Sequence, residues 1–490
     1  MPEKKFLAFD FGAESGRAML GLLREGRLEL RELHRFDNPV TEVLGHLHWD
    51  MLYLFRQLKQ GLAIAAVECG GELDGIGVDT WGVDFGLMGR NGELLGQPYM
   101  YRDGMTEGAM EEVFRLIPKE EMFRLTGNQF MRLNTVFQLF SLVRSGSPLL
   151  EAADRLLFMP DLFNYFLTGE QVSEYCIAST SQLLEAGTDR WSRTLAEKLD
   201  LPFRILGPVV QPGTRIGGLL PAVAAETGLR RAAVLAPACH DTACAVAAVP
   251  ASPGSWAYIS SGTWSLIGVE LPEPILTSEA LEADFTNEGG VEGSIRFLHI
   301  SMGLWLLQCC RQEWEKGGSV PAYEELIAEA EKSPPFRCLI DPDDPSFLNP
   351  ESMTGAIRAY CRDKETSAPE TKGETVRCIL ESLALKYRFV LEKIEAIQKK
   401  KIEVVHILGG GSQNRLLNQF TADVTRLPLV AGPVEATAAG NILMQARANG
   451  DLATLADIRT VVAGSFRLDR FEPKNREGWD EAYERAKELY

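Results

Sequence analysis

Apolar and polar positions sort the start of the chain into three short segments. Phe6-Leu7-Ala8-Phe9 is followed by Ala18–Leu23 and, after Glu25-Gly26, by Leu28–His34. This spacing predicts three strands joined by tight turns. From Met51 to Val67 the apolar positions recur at helical spacing, with Trp49-Asp50 as the start signal. Gly75-Ile76-Gly77-Val78-Asp79-Thr80 reads as a short buried strand that ends at Trp81-Gly82-Val83-Asp84. A hairpin is predicted around Arg90-Asn91-Gly92, and residues 105–200 read mainly as helix, with runs such as Val136–Val143. Val234-Leu235-Ala236 is again a strand; it stops at Pro237-Ala238-Cys239-His240-Asp241, before an Ala-rich helix over Thr242–Val249.

The opening pattern then recurs. Phe6–Arg17 is an apolar strand that breaks at Asp10-Phe11-Gly12-Ala13-Glu14-Ser15-Gly16 and runs on as a second strand. Trp256-Ala257-Tyr258-Ile259-Ser260-Ser261-Gly262-Thr263-Trp264-Ser265 does the same. Turns of small and hydroxylic residues can direct backbone N–H groups at a phosphate, and glycine permits close approach. A single copy is a common hairpin; two copies, each near the start of a half-chain, point to two related lobes facing one polyphosphate. A third element, Ile407-Leu408-Gly409-Gly410-Gly411-Ser412-Gln413-Asn414, is a strand that ends in three glycines before a helix. Pro250-Ala251-Ser252-Pro253-Gly254 is the predicted boundary, giving domains 1–249 and 250–490. Asp363–Thr375 reads as an exposed loop, Glu374–Lys399 as a long amphipathic helix, and Asn475–Tyr490 as a charged terminal helix.

At 490 residues, 45% hydrophobic and 24% charged, the chain has an ordinary globular composition. A formal net charge of −18 argues against nucleic acid or an anionic membrane surface as partner. It does not argue against ATP, which needs only local donors and a metal ion. Nine cysteines without a C-x-x-C pair outline neither a zinc site nor a disulfide framework, so a reducing cytoplasm is expected. Asp10 interrupts the first apolar run, which does not read as a signal peptide, and no eighteen-residue apolar stretch predicts a spanning helix. Monomer and dimer are both open.

Several residues could carry chemistry. Asp10, ending a buried strand, could hold Mg²⁺ through water, or cap the turn. Arg17 could touch phosphate or pair with a surface acid. Thr263 could offer its hydroxyl and N–H to a γ-phosphate, or satisfy its own hairpin. The bare backbone of 409–411 could lie against adenine and ribose. Asp241, between a strand and a helix, could be an N-cap, a general base for a sugar hydroxyl, or both. His240 and Thr242 could bond a substrate hydroxyl. His46-Leu47-His48 with Asp50 has metal-like spacing but no further ligand cluster. Trp81, near Asp79 and Asp84, could line a sugar site or pack in the core.

These segments resemble the FGGY carbohydrate kinases. The resemblance is carried by Asp10–Arg17, Asp79–Asp84, Tyr101-Arg102-Asp103, His240-Asp241-Thr242, Ser261–Ser265 and Gly409–Asn414. Thr286-Asn287-Glu288-Gly289-Gly290, Gly303-Leu304-Trp305-Leu306-Leu307-Gln308 and Ala431–Thr437 are similar to the branch that acts on L-rhamnulose. The likeness runs in order from residue 6 to about 470. It implies an α/β, actin-like ATPase fold of two RNase H-like lobes with ATP in the cleft between them. The implied activity is transfer of the γ-phosphoryl group of ATP, with Mg²⁺, to the 1-hydroxyl of L-rhamnulose in L-rhamnose breakdown. By motif, Asp241 is the catalytic base. Ala13, Glu14, Ser15, Gly16, Arg17, Thr263, Gln308 and Gly410 contact ATP; Gly82, His240, Asp241 and Thr242 contact the sugar; Asp10 helps organise Mg²⁺.

Two positions depart from the family pattern. Glu14 stands where relatives carry a small hydroxylic residue, and either weakens ATP binding or points outward. Ile300 stands where relatives place a sugar-binding asparagine; either His299 or Ser301 substitutes, or the preferred sugar differs. The alternatives are therefore a kinase for a related ketose such as L-fuculose or L-xylulose, and a non-catalytic, actin-like nucleotide-binding sugar sensor.

Overall fold

A computed structural model describes residues 3–252, 254–318 and 322–490. Pro253, part of the predicted boundary run, lies outside the described residues. The first of two units comprises Met1–Pro250, Glu270–Phe297 and Ala436–Ser465; the second comprises Ala251–Val269, Leu298–Glu435 and Phe466–Tyr490.

The first unit carries strands β1 (Lys4–Phe11), β2 (Ser15–Arg24), β3 (Arg27–Asp37), β4 (Gly75–Thr80), β5 (Arg215–Gly218) and β6 (Ala233–Leu235) in the order β5-β6-β4-β1-β2-β3. β1 pairs antiparallel with β2 and parallel with β4, so Asp10 lies opposite Arg17 on one side and Asp79 on the other. β6 continues parallel to β4, and β5 closes the edge antiparallel. A second, seven-stranded sheet carries β7 (Trp256–Ser261), β8 (Trp264–Leu271), β9 (Ile295–Met302), β10 (Val404–Leu408), β11 (Leu429–Ala431) and β12 (Asp469–Phe471) in the order β9-β8-β7-β10-β11-β12, with Thr286–Gly289 at the edge beside β9. β7, β10, β11 and β12 lie in the second unit, while the end of β8 and the start of β9, Arg296 included, belong to the first. The directions in this sheet repeat those of the first sheet: an antiparallel hairpin β7/β8, parallel β7/β10 and β10/β11, and antiparallel β11/β12. The repeat predicted from two strand-turn-strand runs thus extends to whole sheets.

Helices follow the polar signals. α1 (Met51–Cys69) starts where Asp50 accepts the Tyr53 N–H at 2.9 Å and stops at Gly70, whose φ is 69°. α2 (Asp241–Ala247) follows β6, and α3 (Trp305–Lys316) follows β9. α4 (Lys372–Gln398) begins earlier than the predicted Glu374, because Thr371 and Glu374 form a reciprocal capping box. The predicted loop over 363–375 accordingly shrinks between α4 and a preceding helix, Met353–Asp363. The hairpin at 90–92 is present, with Met88 bridged antiparallel to Leu94 and the Gly89 N–H on the Glu93 carbonyl at 2.8 Å; on its other side Phe85–Gly89 pairs along its length with Ala153–Phe158. The terminal helix Trp479–Lys487 buries Trp479, Ala482, Tyr483 and Ala486, so only part of the charged run is a wet face.

α5 (Ala436–Ala448) joins the first unit for a packing reason. Gly75 and Gly77 of β4 lie beneath it: a Cβ on Gly77 would sit 2.5 Å from the Asn441 Oδ1, and one on Gly75 would sit 2.8 Å from the Gln445 Oε1. Glycines in the strand let the helix settle onto the sheet. Around β1 the core of this unit gathers Phe9, Phe11, Trp49, Met51, Leu58 and Phe163, with Phe11 and Phe163 stacked at 4.3 Å between centroids. Among the described residues no helix is long and apolar enough to cross a membrane.

Candidate active site

In the first unit the strand ends bring carboxylates together. Asp10, near the end of β1, is buried and ion-paired to Arg17 across the hairpin at 2.6 Å. Arg17 therefore holds a buried acid, not the surface acid expected of it. Asp79, opposite Asp10 on β4, is fully buried and accepts the Asn441 Nδ2–H at 2.6 Å, while its Oδ1 has no hydrogen bond. Burial, then the neighbouring Asp10, pushes its carboxyl well above the ordinary range. The turn between β1 and β2 closes through the Gly12 N–H on the Ser15 carbonyl at 2.9 Å, and Asn38 Nδ2 donates to the Gly12 carbonyl at 3.0 Å. Ala13 and Ser15 are half-buried on this turn, Gly16 is buried, and Glu14 is exposed. Its exposure fits the outward-pointing alternative.

Asp241 is the first residue of α2, and the N-cap position belongs to His240, whose side chain makes no capping bond. The expected N-cap role of Asp241 is corrected accordingly: its Oδ1 accepts the N–H and, at 3.0 Å, the hydroxyl of Thr242, within its own first turn. His240 Nε2 lies 3.3 Å from the same oxygen. Partial burial and then Asp10 push the Asp241 carboxyl up to about 7. A carboxylate at the positive end of a helix whose proton affinity sits near neutrality is equipped to accept a proton. Gly82 lies against Thr180, to which a Cβ would come within 3.1 Å.

Trp81 belongs to the core, not to an open sugar subsite. Its indole N–H donates to Asp84 Oδ2 at 2.9 Å, beside Trp49 at 2.7 Å and the Tyr101 N–H at 3.2 Å; Gln138 takes Oδ1 at 3.0 Å. The two indoles pack at 4.3 Å between centroids. Burial pushes Asp84 up to about 7 in spite of these donors. Asp84→Ala would strand four buried donors, and we expect it to cost about 3–5 kcal/mol, read as a lower urea midpoint; an unchanged midpoint would refute this role. His46, of the metal-like triplet, is bonded to Asp103 at 3.0 Å, and His48 lies 3.3 Å from the Gln97 carbonyl.

The second unit gathers the other expected nucleotide contacts. Thr263 Oγ1 donates to Gln308 Oε1 at 3.4 Å, and the Thr263 carbonyl accepts the N–H groups of Gly303 and Trp305, at 3.0 and 3.2 Å. The glycine turn after β7 is thereby seated on the start of α3. Two glycines of the triplet are required by the backbone and its packing, and the third is not. Gly409 adopts φ 75°, a Cβ on Gly411 would overlap Ser261 Oγ, and Gly410 faces open space, with nothing within 4 Å. Ile300 is half-buried on β9, while its strand neighbours His299 and Ser301 point to the opposite face. Both bond Asp343, His299 Nε2 at 3.3 Å and Ser301 Oγ at 2.7 Å. Neither side chain lies on the face of β9 that carries Ile300.

Glu288 lies within the Thr286–Gly290 motif, but Arg296 belongs to no motif. Arg296, fully buried, lies 2.9 Å from Glu288 and 3.1 Å from His240 Nδ1. A signal was present: Arg296 interrupts the apolar run Ile295-Arg296-Phe297-Leu298.

Residues 5–248 match the N-terminal domain of the FGGY family of carbohydrate kinases, and residues 257–449 match its C-terminal domain. The chain belongs to the FGGY family of carbohydrate kinases. It is 48% identical to a rhamnulokinase of Bacteroides thetaiotaomicron over 98% of both chains. Against a rhamnulokinase of Enterococcus faecalis the identity is 41%, covering 96% of this chain and 94% of that one. Crystal structures of a gluconate kinase and a ligand-bound xylulose kinase, both from Lactobacillus acidophilus, superpose with TM-scores of 0.81 at 14% and 15% identity. Each covers 99% of this chain and 97% of its own. At that identity they establish the fold alone. As an FGGY kinase the chain has the expected α/β, actin-like architecture, two sheet-rich lobes with repeated strand order, and it is a phosphotransferase acting on an alcohol group.

Proposed function

We propose that this kinase transfers the γ-phosphoryl group of ATP to the 1-hydroxyl of L-rhamnulose, giving L-rhamnulose 1-phosphate and ADP in L-rhamnose catabolism. The observation that carries the reading is 48% identity, over nearly the whole of both chains, to a protein named rhamnulokinase. The site chemistry supports it. In the proposed step the proton of the 1-hydroxyl passes to Asp241 as the sugar oxygen bonds to the γ-phosphorus. The bond from that phosphorus to the β–γ bridging oxygen breaks, and ADP leaves. Such a loose transition state asks chiefly for positioning and charge stabilisation.

In this reading Ala13 to Arg17, Thr263, Gln308 and Gly410 hold ATP, and Gly82, His240 and Thr242 hold the sugar beside Asp241. The donor set fits Mg²⁺ held through water by Asp10. Asp79, next to it, has a buried oxygen without a hydrogen bond, and like charges crowd Asp10, Asp79 and Asp241. When bound, Mg²⁺ supplies positive charge to the phosphate oxygens. The cytoplasm is the proposed location.

One observation keeps a second sugar in view. Ile300 offers no hydrogen bond, and both neighbouring polar side chains are committed to Asp343. A related ketose, L-fuculose or L-xylulose, is the second reading. Identification of the product by ³¹P and ¹³C NMR tests the first: phosphate on C1 of L-rhamnulose is expected, and phosphate on another carbon, or ATP hydrolysis without sugar phosphate, would overturn it. For the nucleotide side, Gly410→Val is expected to raise the ATP KM about tenfold with the sugar KM unchanged. An unchanged ATP KM would remove Gly410 from the ATP site.

A further inference from the structure

Behind His240 lies a buried chain of polar groups that the proposed mechanism does not use. Arg296, at the start of β9, has no exposed surface, and Glu288 and His240 are nearly as buried. Arg296 Nη2 donates to His240 Nδ1 at 3.1 Å and lies 2.9 Å from Glu288 Oε2, while Nε donates to the Gly289 carbonyl at 2.9 Å. The segment carrying Glu288 is itself fixed, because the Gly289 N–H donates to Ser179 Oγ at 2.7 Å and Asn287 is bonded to Gly127 and Ile275.

A guanidinium has five donors and no acceptor. Glu288 Oε2 also lies near His240 Nδ1, at 3.5 Å, but makes no hydrogen bond there, whereas the guanidinium is at 3.1 Å. The nitrogen facing the guanidinium is then the unprotonated one, which puts the proton on Nε2. That nitrogen lies 3.3 Å from Asp241 Oδ1. The ring is neutral at ordinary pH, since burial and then the Arg296 charge hold its pKa well below the usual value. Among the described residues the hydrogen bonds to the Asp241 carboxylate come from Thr242 and fall on Oδ1. With His240 Nε2–H on the same side, Oδ2 is left as the oxygen able to take a substrate proton.

We propose that Arg296, charge-balanced by Glu288, is a positioning residue: it fixes His240 as the Nε2–H tautomer and thereby orients the Asp241 carboxylate with Oδ2 toward the reacting hydroxyl. The kinetic part rests on Asp241 being the base; the tautomer part does not. The wrong tautomer beside a catalytic group disables a site without disturbing its shape.

The test uses the full-length enzyme labelled with ¹⁵N in its histidine rings, the His240 signals being assigned by loss in His240→Gln. The wild type is expected to show an unprotonated Nδ1 and a protonated Nε2. A proton on His240 Nδ1 in the wild type overturns the proposal, whatever the kinetics show. Arg296→Met alone would bury an unpaired Glu288, so the kinetic variant is Arg296→Met with Glu288→Met. Its kcat is expected to fall about 10- to 100-fold, the range found where an outer group orients a working side chain, and by more than the sugar KM rises, since His240 also touches the sugar in the proposed reading. Arg296→Lys, which keeps a donor and the charge, should recover part of the loss. Adding the double change to Asp241→Asn should cost nothing further, because the base it orients is gone. A kcat in the double variant equal to wild type, or a full additional loss in the Asp241→Asn background, contradicts the positioning role. If Asp241→Asn itself retains wild-type turnover, the base assignment fails, and the ¹⁵N spectrum still decides the tautomer.

Discussion

Asp241→Asn is expected to lower kcat about 10²- to 10⁴-fold and to leave the sugar KM within a few-fold of wild type. Asparagine keeps the shape of the side chain and an oxygen for the Thr242 donors that now bond Oδ1. What it loses is the lone pair that accepts the proton of the attacking hydroxyl. A binding contact that is equal in ground and transition states would appear in KM; a base appears in kcat. The pH profile carries a second signature. Burial and Asp10 put the Asp241 carboxyl at about 7, and only its ionised form is a base. Wild-type kcat/KM should climb as pH rises through that region and level off above it, and Asp241→Asn should lack this acid limb. A variant that turns over at the wild-type rate, or that keeps the limb, would remove Asp241 from the chemistry.

The second large effect is on stability. Gly440→Ala is expected to destabilise the protein by about 3 kcal/mol, with a fall in Tm of about 3 °C. Gly440 sits in α5, where a methyl group would overlap the carbonyl oxygen of Cys244 in α2. That oxygen is backbone, so no rotamer change relieves the overlap, and the two helices must separate. Because α2 begins at Asp241, the displacement should also lower kcat. Gly464→Ala is the matched control: a Cβ there meets nothing within 4 Å, and the residue lies in the helix Leu455–Ser465. It should be neutral or slightly stabilising. Equal Tm values for the two variants would refute the close-packing argument.

Local elements were legible wherever one segment contained its own signal. Gly75–Thr80 is the predicted strand to the residue, and α1 begins beside the Asp50 cap that announced it. The two strand-turn-strand runs gave the hairpins β1/β2 and β7/β8. Three glycines are more than a simple turn needs, and the structure constrains two of them, Gly409 by its φ and Gly411 by Ser261, while Gly410 faces open space. Features that depend on distant partners were not legible. Ala153–Phe158 lay inside a stretch of helical character, and it is a strand because Phe85–Gly89 needs a partner. α5 belongs to the first unit because Gly75 and Gly77, far earlier in the sequence, leave room for Asn441 and Gln445. Trp81 had the composition of a sugar platform, but Trp49 and Gln138, which share Asp84 with it, show it to be core. The ion pair of Asp10 with Arg17 spans one hairpin, and both of its partners were named from sequence. Arg296, whose partners come from other segments, was not.

The measurement closest to the central claim is ADP release by the purified protein with Mg²⁺-ATP across L-rhamnulose, L-fuculose, L-xylulose, D-xylulose, L-ribulose and glycerol. The kcat/KM for L-rhamnulose is expected to exceed that for every other sugar by at least about tenfold, a difference of about 1.4 kcal/mol in transition-state binding. Preference for another ketose would contradict the substrate assignment and point to Ile300; ADP release that no sugar accelerates would contradict the kinase mechanism itself.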